Sequence, residues 1–312
     1  MVKPGKVLLV STLAAAALFG TATVATAGEA AVAKGPQPRI VQNDYVVFRP
    51  GNGVWYDRNS ATGGVITQQW GVAGDIPVSG DFTGDGRSDY VVWRPSNGVW
   101  YVKNRVTGAV TTQQWGASGD IPVAADFTMH GRNDYVVWRP SNGVWYVRDS
   151  VTGAVTTQQW GVAGDIPVSG DFTGDGRSDY VVWRPSNGVW YVKDGVTGAV
   201  TTQQWGVAGD VPVNDSIPVS ASFTGDGRSD YVVWRPSNGV WYVKNSANGA
   251  VTTQQWGVSG DVPVGGDFTG DGRNDYVVWR PGNGVWYVKD GVTGAVTTQQ
   301  WGVAGDIPAA FH

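Results

Sequence analysis

The stretch from Asp75 to Trp115 reads DIPVSGDFTGDGRSDYVVWRPSNGVWYVKNRVTGAVTTQQW, and copies of it recur every 45 residues or so from residue 40 to the end of the 312-residue sequence. Three tryptophans mark each copy. The first follows Tyr-Val-Val at Trp93, Trp138, Trp183, Trp234 and Trp279, with Phe48 in its place in the first copy. The second follows Asn-Gly-Val at Trp55, Trp100, Trp145, Trp190, Trp241 and Trp286, and the third follows Gln-Gln at Trp70, Trp115, Trp160, Trp205, Trp256 and Trp301. All 17 tryptophans are used in this way. A period of this length belongs to arrays whose units bury their apolar faces only against neighbours.

Within the quoted unit, Ile76 to Phe82 reads as a short strand, Thr83 to Ser88 as a Gly/Asp loop and Tyr90 to Arg94 as an apolar strand of β formers. Pro95 to Gly98 is a turn, Val99 to Lys103 a third strand, Thr107-Gly108 a second turn and Ala109 to Trp115 a fourth strand. Four antiparallel strands per unit make a propeller blade. The first unit lacks its opening strand, while Asp306 to Phe311 forms an opening strand with nothing after it. The expected fold is therefore an all-β, six-bladed β-propeller over residues 40–312, closed when this last segment completes the first blade and leaves no free edge. A seventh blade would have to come from residues 28–43, which carry no Trp marker. The one insertion, around Val211 to Ser216, predicts a bulged loop between two blades.

Residues 1–27 differ in kind: Lys3 and Lys6, an apolar run from Val7 to Gly20, then Ala25-Thr26-Ala27, the pattern of a cleaved secretion signal. Residues 28–39 read as a flexible leader. A secreted protein, monomeric and without membrane insertion, is expected. The net charge is −4, falling to −6 once Lys3 and Lys6 are removed, and no basic run offers a nucleic-acid surface. There is no cysteine, so stability must come from the core, which bound ions can supplement.

The loop Asp81-Phe82-Thr83-Gly84-Asp85-Gly86-Arg87-Ser88-Asp89 sets oxygens at positions one, three, five and nine, a main-chain carbonyl at seven (Arg87) and glycine at six, the way calcium loops surround a hard cation. It recurs at Asp171, Thr173, Asp175, Arg177 and Asp179, and at Asp267, Thr269, Asp271, Arg273 and Asp275. The string from Val78 to Pro95 resembles the FG-GAP and VCBS repeats of integrin-like propellers and secreted bacterial proteins, over residues 40–312. That resemblance implies structural calcium in these three loops. Thr83 stands where the family has Asp or Asn, which predicts weak affinity, toward roughly 10⁻⁴ to 10⁻³ M. In a fourth loop Ser222 replaces the first Asp ahead of Thr224, Asp226 and Asp230, a weaker metal site, and in the loop at Asp126 the central Asp has become His130, which predicts an empty loop. The alternative is that these residues only shape Asx turns.

Catalysis needs asymmetry, and nearly every charged residue here is a repeat position. With His130 and His312 the only histidines and no cysteine, nucleophile triads and zinc centres have no support, and no enzyme is expected. The Arg94, Arg139, Arg184, Arg235 and Arg280 series reads as inter-blade hydrogen bonding or as a ring of anion-binding guanidiniums. Repetition favours multivalent binding. The candidate ligand contacts are Trp55, Trp100, Trp145, Trp190, Trp241 and Trp286, each beside a polar turn, with packing between blades as the alternative. The Trp115 series, ending an alternating outer strand, should keep one face exposed. Extracellular carbohydrate leads as the expected ligand. The other reading is a secreted or cell-surface protein, such as a protease under control, engaging the unrepeated Arg105, Met129, His130 and the insertion; the Gln113-Gln114 pairs would be accessible amides.

Overall fold

The computed structural model describes residues 42–213 and 222–312. The expected secretion signal and leader, and the insertion at Asn214 to Ser216, lie outside the described residues. The first copy supplies β1 (Asp44–Arg49), β2 (Val54–Arg58) and β3 (Val65–Gln69). Blade 2 is β4 (Ile76–Val78), β5 (Tyr90–Arg94), β6 (Val99–Lys103) and β7 (Val110–Gln114). Blade 3 is β8 (Ile121–Ala125), β9 (Asp134–Arg139), β10 (Val144–Arg148) and β11 (Val155–Gln159). Blade 4 is β12 (Ile166–Val168), β13 (Tyr180–Arg184), β14 (Val189–Lys193) and β15 (Val200–Gln204). Blade 5 is β16 (Val211–Pro212), β17 (Tyr231–Arg235), β18 (Val240–Lys244) and β19 (Val251–Gln255). Blade 6 is β20 (Val262–Val264), β21 (Tyr276–Arg280), β22 (Val285–Lys289) and β23 (Val296–Gln300), and β24 (Ile307–Phe311) ends the chain.

The strands form six antiparallel four-stranded sheets, the blades of a six-bladed propeller. β24 joins β1, β2 and β3 as the inner strand of blade 1, with Asp44 opposite Phe311 and Phe48 opposite Ile307. Burial peaks in the second strand of the blade: the innermost, β4, runs from exposed Ile76 to buried Val78, β5 is buried from Tyr90 to Trp93, β6 alternates, and β7 is largely exposed. The expected strand Ile76 to Phe82 stops at Val78 instead. Gly80, at φ +149°, and the carboxylate of Asp81 turn the chain into the loop there; blade 3 carries Ala124-Ala125 at the same place, and its inner strand runs on to Ala125.

The core lies between blades. One cluster joins Val78, Phe82, Trp93 and Trp100 of blade 2 to Tyr135 and Val137 of blade 3, and another joins Trp279 and Trp286 of blade 6 to Tyr45 and Val47 of blade 1. The tryptophans also share one hydrogen-bond scheme. Trp93 and Trp100 both donate their indole N–H to the carbonyl of Trp115, at 3.1 and 3.0 Å, and Trp115 donates its own to the carbonyl of Tyr146 in the next blade, at 3.1 Å. The scheme closes on itself, since Trp301 of blade 6 reaches the Tyr56 carbonyl of blade 1 at 3.0 Å. Gly98 makes this packing possible: its φ is +65°, and a Cβ there would sit 2.3 Å from the carbonyl oxygen of Gly116.

On the opposite face, each aspartate loop is bonded to the next by one main-chain hydrogen bond, from Asn133 N–H to Asp81 C=O round to Ser88 N–H and His312 C=O, at 2.6 to 3.1 Å. His312 thus fills the first-aspartate position of blade 1, whose loop is divided between the two ends of the described chain. The seam between blades 1 and 2 is also marked by charge. Asp57 stands where the other blades have Val102, Val147, Val192, Val243 and Val288, and Arg105 where they have Ser or Gly. The Arg105 guanidinium lies 2.6 Å from both Asp44 and Asp57, with the Tyr90 hydroxyl donating to Asp57 at 3.3 Å. Burial pushes Asp57 up to about 6 in spite of the cation beside it.

Candidate functional sites: the aspartate loops and the inter-blade grooves

The aspartate loop is held by its own carboxylates. Asp81 accepts the N–H groups of Thr83 and Gly84 on one oxygen and of Gly86 on the other, and Asp89 accepts those of Phe82 and Thr83 and the Thr83 hydroxyl. Asp171 with Asp179, and Asp267 with Asp275, repeat most of this pattern. Burial raises Asp89 to about 6 and Asp179 and Asp275 to about 7; Asp230 of the fourth loop rises to about 6, again chiefly through burial. Among the described residues no three acidic or imidazole side chains converge as a finished metal centre.

What distinguishes the loops is a residue on the turn after the third strand, which the sequence alone did not single out. In blades 2 and 5 it is asparagine: Asn104 donates its amide to Asp85 and Thr83, at 2.8 and 2.6 Å, and Asn245 does the same to Asp226 and Thr224, at 2.8 and 2.7 Å. In blades 4 and 6 it is aspartate, and Asp175 and Asp271 are among the neighbours that hold Asp194 and Asp290 below the usual carboxylate value. Two carboxylates in contact require a shared proton or a cation. Blades 4 and 6 thus pair two carboxylates where blades 2 and 5 pair a carboxylate with an amide.

Blade 3 is closed by other means. His130 lies 3.4 Å from Asp149 and 3.0 Å from the Thr128 hydroxyl. Met129 takes the place of a loop glycine at φ +60°, the one non-glycine positive φ among the described residues. Met129→Gly should stabilise the protein by about 0.5 to 1 kcal/mol, since relief of roughly 1 to 2 kcal/mol of left-handed strain exceeds the added chain entropy. A rise in Tm of about 1 to 3 °C would register it; a fall would mean that the Met129 side chain contributes more than the strain costs.

The expected ligand contacts on the Trp100 series are corrected by the structure. Trp55, Trp100, Trp145, Trp190, Trp241 and Trp286 are all 0% exposed. Their strands alternate, and the tryptophan side is the one that packs against the neighbouring blade, so no indole face is presented to a sugar. Ser88 Oγ and His312 Nδ1 lie 2.9 Å apart, the serine fully buried and bonded within the loop ring and the histidine partly buried.

The Trp115 series is different. All six of these indoles are only partly buried, at the outer ends of the grooves between blades. In the groove between blades 2 and 3, Gln114, Trp115 and Gly116 face Arg139 and Tyr146. The arginines are neither inter-blade links nor free anion sites. Each forms a bidentate pair with the aspartate just before its blade's inner strand, such as Arg139 with Asp120 at 2.6 and 2.9 Å, and lies 4.3 to 4.4 Å over a tyrosine ring of its own blade. These guanidiniums are thus neutralised in place, and each groove offers an indole, a phenol ring and polar edges. Of the glutamines on the outer strand, Gln113 donates to the Gln114 carbonyl and Gln114 to that of Gly98.

No protein-family model and no curated protein matches the sequence. Solved structures do. The chain is similar to an Agrocybe aegerita lectin that recognises non-reducing terminal N-acetylglucosamine, at 17% identity over 83% of this chain and 76% of that one, with a TM-score of 0.53. It is similar to TolB from Acinetobacter baumannii at 15% identity, over 88% and 68% of the two chains, with a TM-score of 0.59. It is also similar to apo AztD from Citrobacter koseri at 9% identity, over 86% and 98%, with a TM-score of 0.51. At such identities the likeness shows the fold alone.

Proposed function

We propose that this chain is a secreted, noncatalytic binding propeller of the FG-GAP/VCBS kind that takes carbohydrate in its inter-blade grooves and calcium in two of its aspartate loops. The groove carries the carbohydrate assignment. A half-exposed indole and a tyrosine ring can cover the apolar face of a sugar while amide and guanidinium N–H groups meet its hydroxyls, and six such grooves on one ring add weak contacts into avidity. The fold's likeness to an N-acetylglucosamine-recognising lectin supports the same class of ligand. The test is binding of the chain from residue 28 onward to a panel of polysaccharides, with oligomers of N-acetylglucosamine included. Saturable binding that weakens in Trp115→Ala and persists in Gln113→Ala is expected; no binding to any glycan by a folded protein overturns the assignment.

A second reading, docking of a secreted or cell-surface protein, draws on the apolar ring around the channel mouth. Ile76, Ile121 and Ile166 there are 37 to 38% exposed and line a cavity of about 470 Å³, and Ile307, 39% exposed, lines a second hollow. A protein partner would be lost with Ile121→Glu and kept in Trp115→Ala.

Calcium would draw together Asp171, Asp175, Asp179 and Asp194 in blade 4 and Asp267, Asp271, Asp275 and Asp290 in blade 6, which do not converge without it, and would neutralise the paired carboxylates. The Asp81 loop and the Asp226 loop, each with an asparagine in that place, would bind more weakly. Calorimetry should give two main sites per chain, one lost in Asp194→Ala and the other in Asp290→Ala. At calcium 10 to 100 times Kd, each site adds roughly 1.4 to 2.7 kcal/mol of stability. Without calcium, the folded values of Asp179 and Asp275 near 7 exceed the unfolded value. Their stabilisation is complete below about pH 4 and is lost as the pH rises through 7. In chelator the melting temperature should therefore fall between pH 5 and pH 8, and calcium should abolish that slope; a slope unaffected by calcium would remove the metal from the proposal.

A further inference from the structure

The six grooves are not equal. The linker leaving the outer strand carries a valine in five blades, at Val72, Val162, Val207, Val258 and Val303, each 49 to 52% exposed; in the groove between blades 2 and 3 the residue is Ala117. The groove at Trp160 is bounded by Val162 and has a volume of about 110 Å³, whereas the one at Trp115 has about 370 Å³. Two further differences point the same way. Five indoles of the series carry a lysine or arginine 5.7 to 6.0 Å over the ring, and among the described residues no cation takes that place over the ring of Trp115. Gln114 donates to the Gly98 carbonyl alone, whereas Gln69 and Gln204 each contact three carbonyls, so Gln114 keeps an amide hydrogen for a ligand.

We propose that the groove at Trp115, opened by Ala117, is the principal subsite of the chain and takes a single neutral sugar residue. This deepens the carbohydrate assignment and rests on it. The indole face would lie under the sugar ring, with Gln114 and the outer N–H groups of Arg139 donating to its hydroxyls. A uronic or sialic residue is disfavoured because Arg139 is already matched by the Asp120 carboxylate at 2.6 Å. A charged ligand would enter without a free counter-charge.

The exchange between Ala and Val tests this in both directions, because each residue already occurs at the same place in a neighbouring blade and neither change threatens the fold. Calorimetric titration with neutral trisaccharides of N-acetylglucosamine, galactose and mannose, and with a trisaccharide of glucuronic acid, should show one tight site for one of the neutral probes. Ala117→Val should weaken it at least tenfold, and Val162→Ala should add a second site. Six equal sites in the wild type, or an Ala117→Val variant that binds unchanged, would overturn the ranking of the grooves and leave the carbohydrate assignment standing. Equal or tighter binding of the glucuronate would overturn the neutral-ligand specificity. Failure of every saccharide to bind would overturn the assignment and the subsite together.

Discussion

Trp190→Ala is expected to cost roughly 3 to 5 kcal/mol, the usual loss for a buried tryptophan truncated in a close-packed interior. Its ring is 0% exposed, packs against Phe172 at 5.9 Å and Tyr231 of the next blade at 5.7 Å, and donates to the Trp205 carbonyl at 2.9 Å. Removal opens a cavity on the interface between blades 4 and 5. That loss is a large fraction of the 5 to 15 kcal/mol that holds an ordinary domain together. Trp160→Ala makes the comparison: it removes a half-exposed ring and one hydrogen bond, to Tyr191 C=O at 3.1 Å, and should cost less than half as much. Denaturant unfolding of the two variants side by side decides the matter. Equal losses would mean that the inner tryptophan is not the core element its burial implies.

Arg105→Ser should be comparably damaging, at about 3 to 5 kcal/mol, because it leaves the 1%-exposed Asp57 without its cation. Asp57→Val should cost less, since Arg105 keeps Asp44 as a partner. The double variant restores the residues found in other blades and should recover most of the stability, which gives a coupling energy of more than about 2 kcal/mol in a double-mutant cycle. The pH dependence has a definite sign. Asp57 titrates near 6 in the folded protein, above the roughly 3.9 of an unfolded aspartate, so its contribution is complete below pH 4 and lost as the pH climbs through 6. Without Arg105 the folded value rises further. The deficit of Arg105→Ser should therefore be larger at pH 7.5 than at pH 5; additive single effects, or a deficit independent of pH, would rule out the coupling.

The blade was legible because its signals are local. Asn97-Gly98 and Thr107-Gly108 fix the turns, and the apolar run from Tyr90 to Trp93 fixes the second strand. The orphan segment at Asp306 to Phe311 was enough to infer closure. The side of the third strand was not legible: Trp100 and Tyr101 are both aromatic, and only the approach of Tyr135 from the next blade decides which is enclosed. Nor could the sequence show that Arg94 meets Asp75 at a separation of 19 residues, or that Trp115 meets a main-chain carbonyl 31 residues on, because both depend on how the blades curve around the axis. Arg105 stood out as a departure from the repeat, and Asp57 replaces a valine found in every other blade. Their meeting required knowing that positions 57 and 105 face one another across the same interface. The exposed face of the Trp115 series was legible from its place at the end of an alternating outer strand, whereas the approach of Arg139 and Tyr146 from the next blade was not.

The antiparallel pairing of β1 and β24 also has a mechanical consequence. Asp44 and Phe311 lie at the same end of that ladder, opposite one another. Tension drawn through the two ends of the propeller would load its hydrogen bonds one after another, as a zipper is opened, instead of all at once in shear. The ring that gives heat no edge from which to fray would then part at a single blade under a modest pull, and the Arg105 pairs with Asp44 and Asp57 sit beside the first rung to yield.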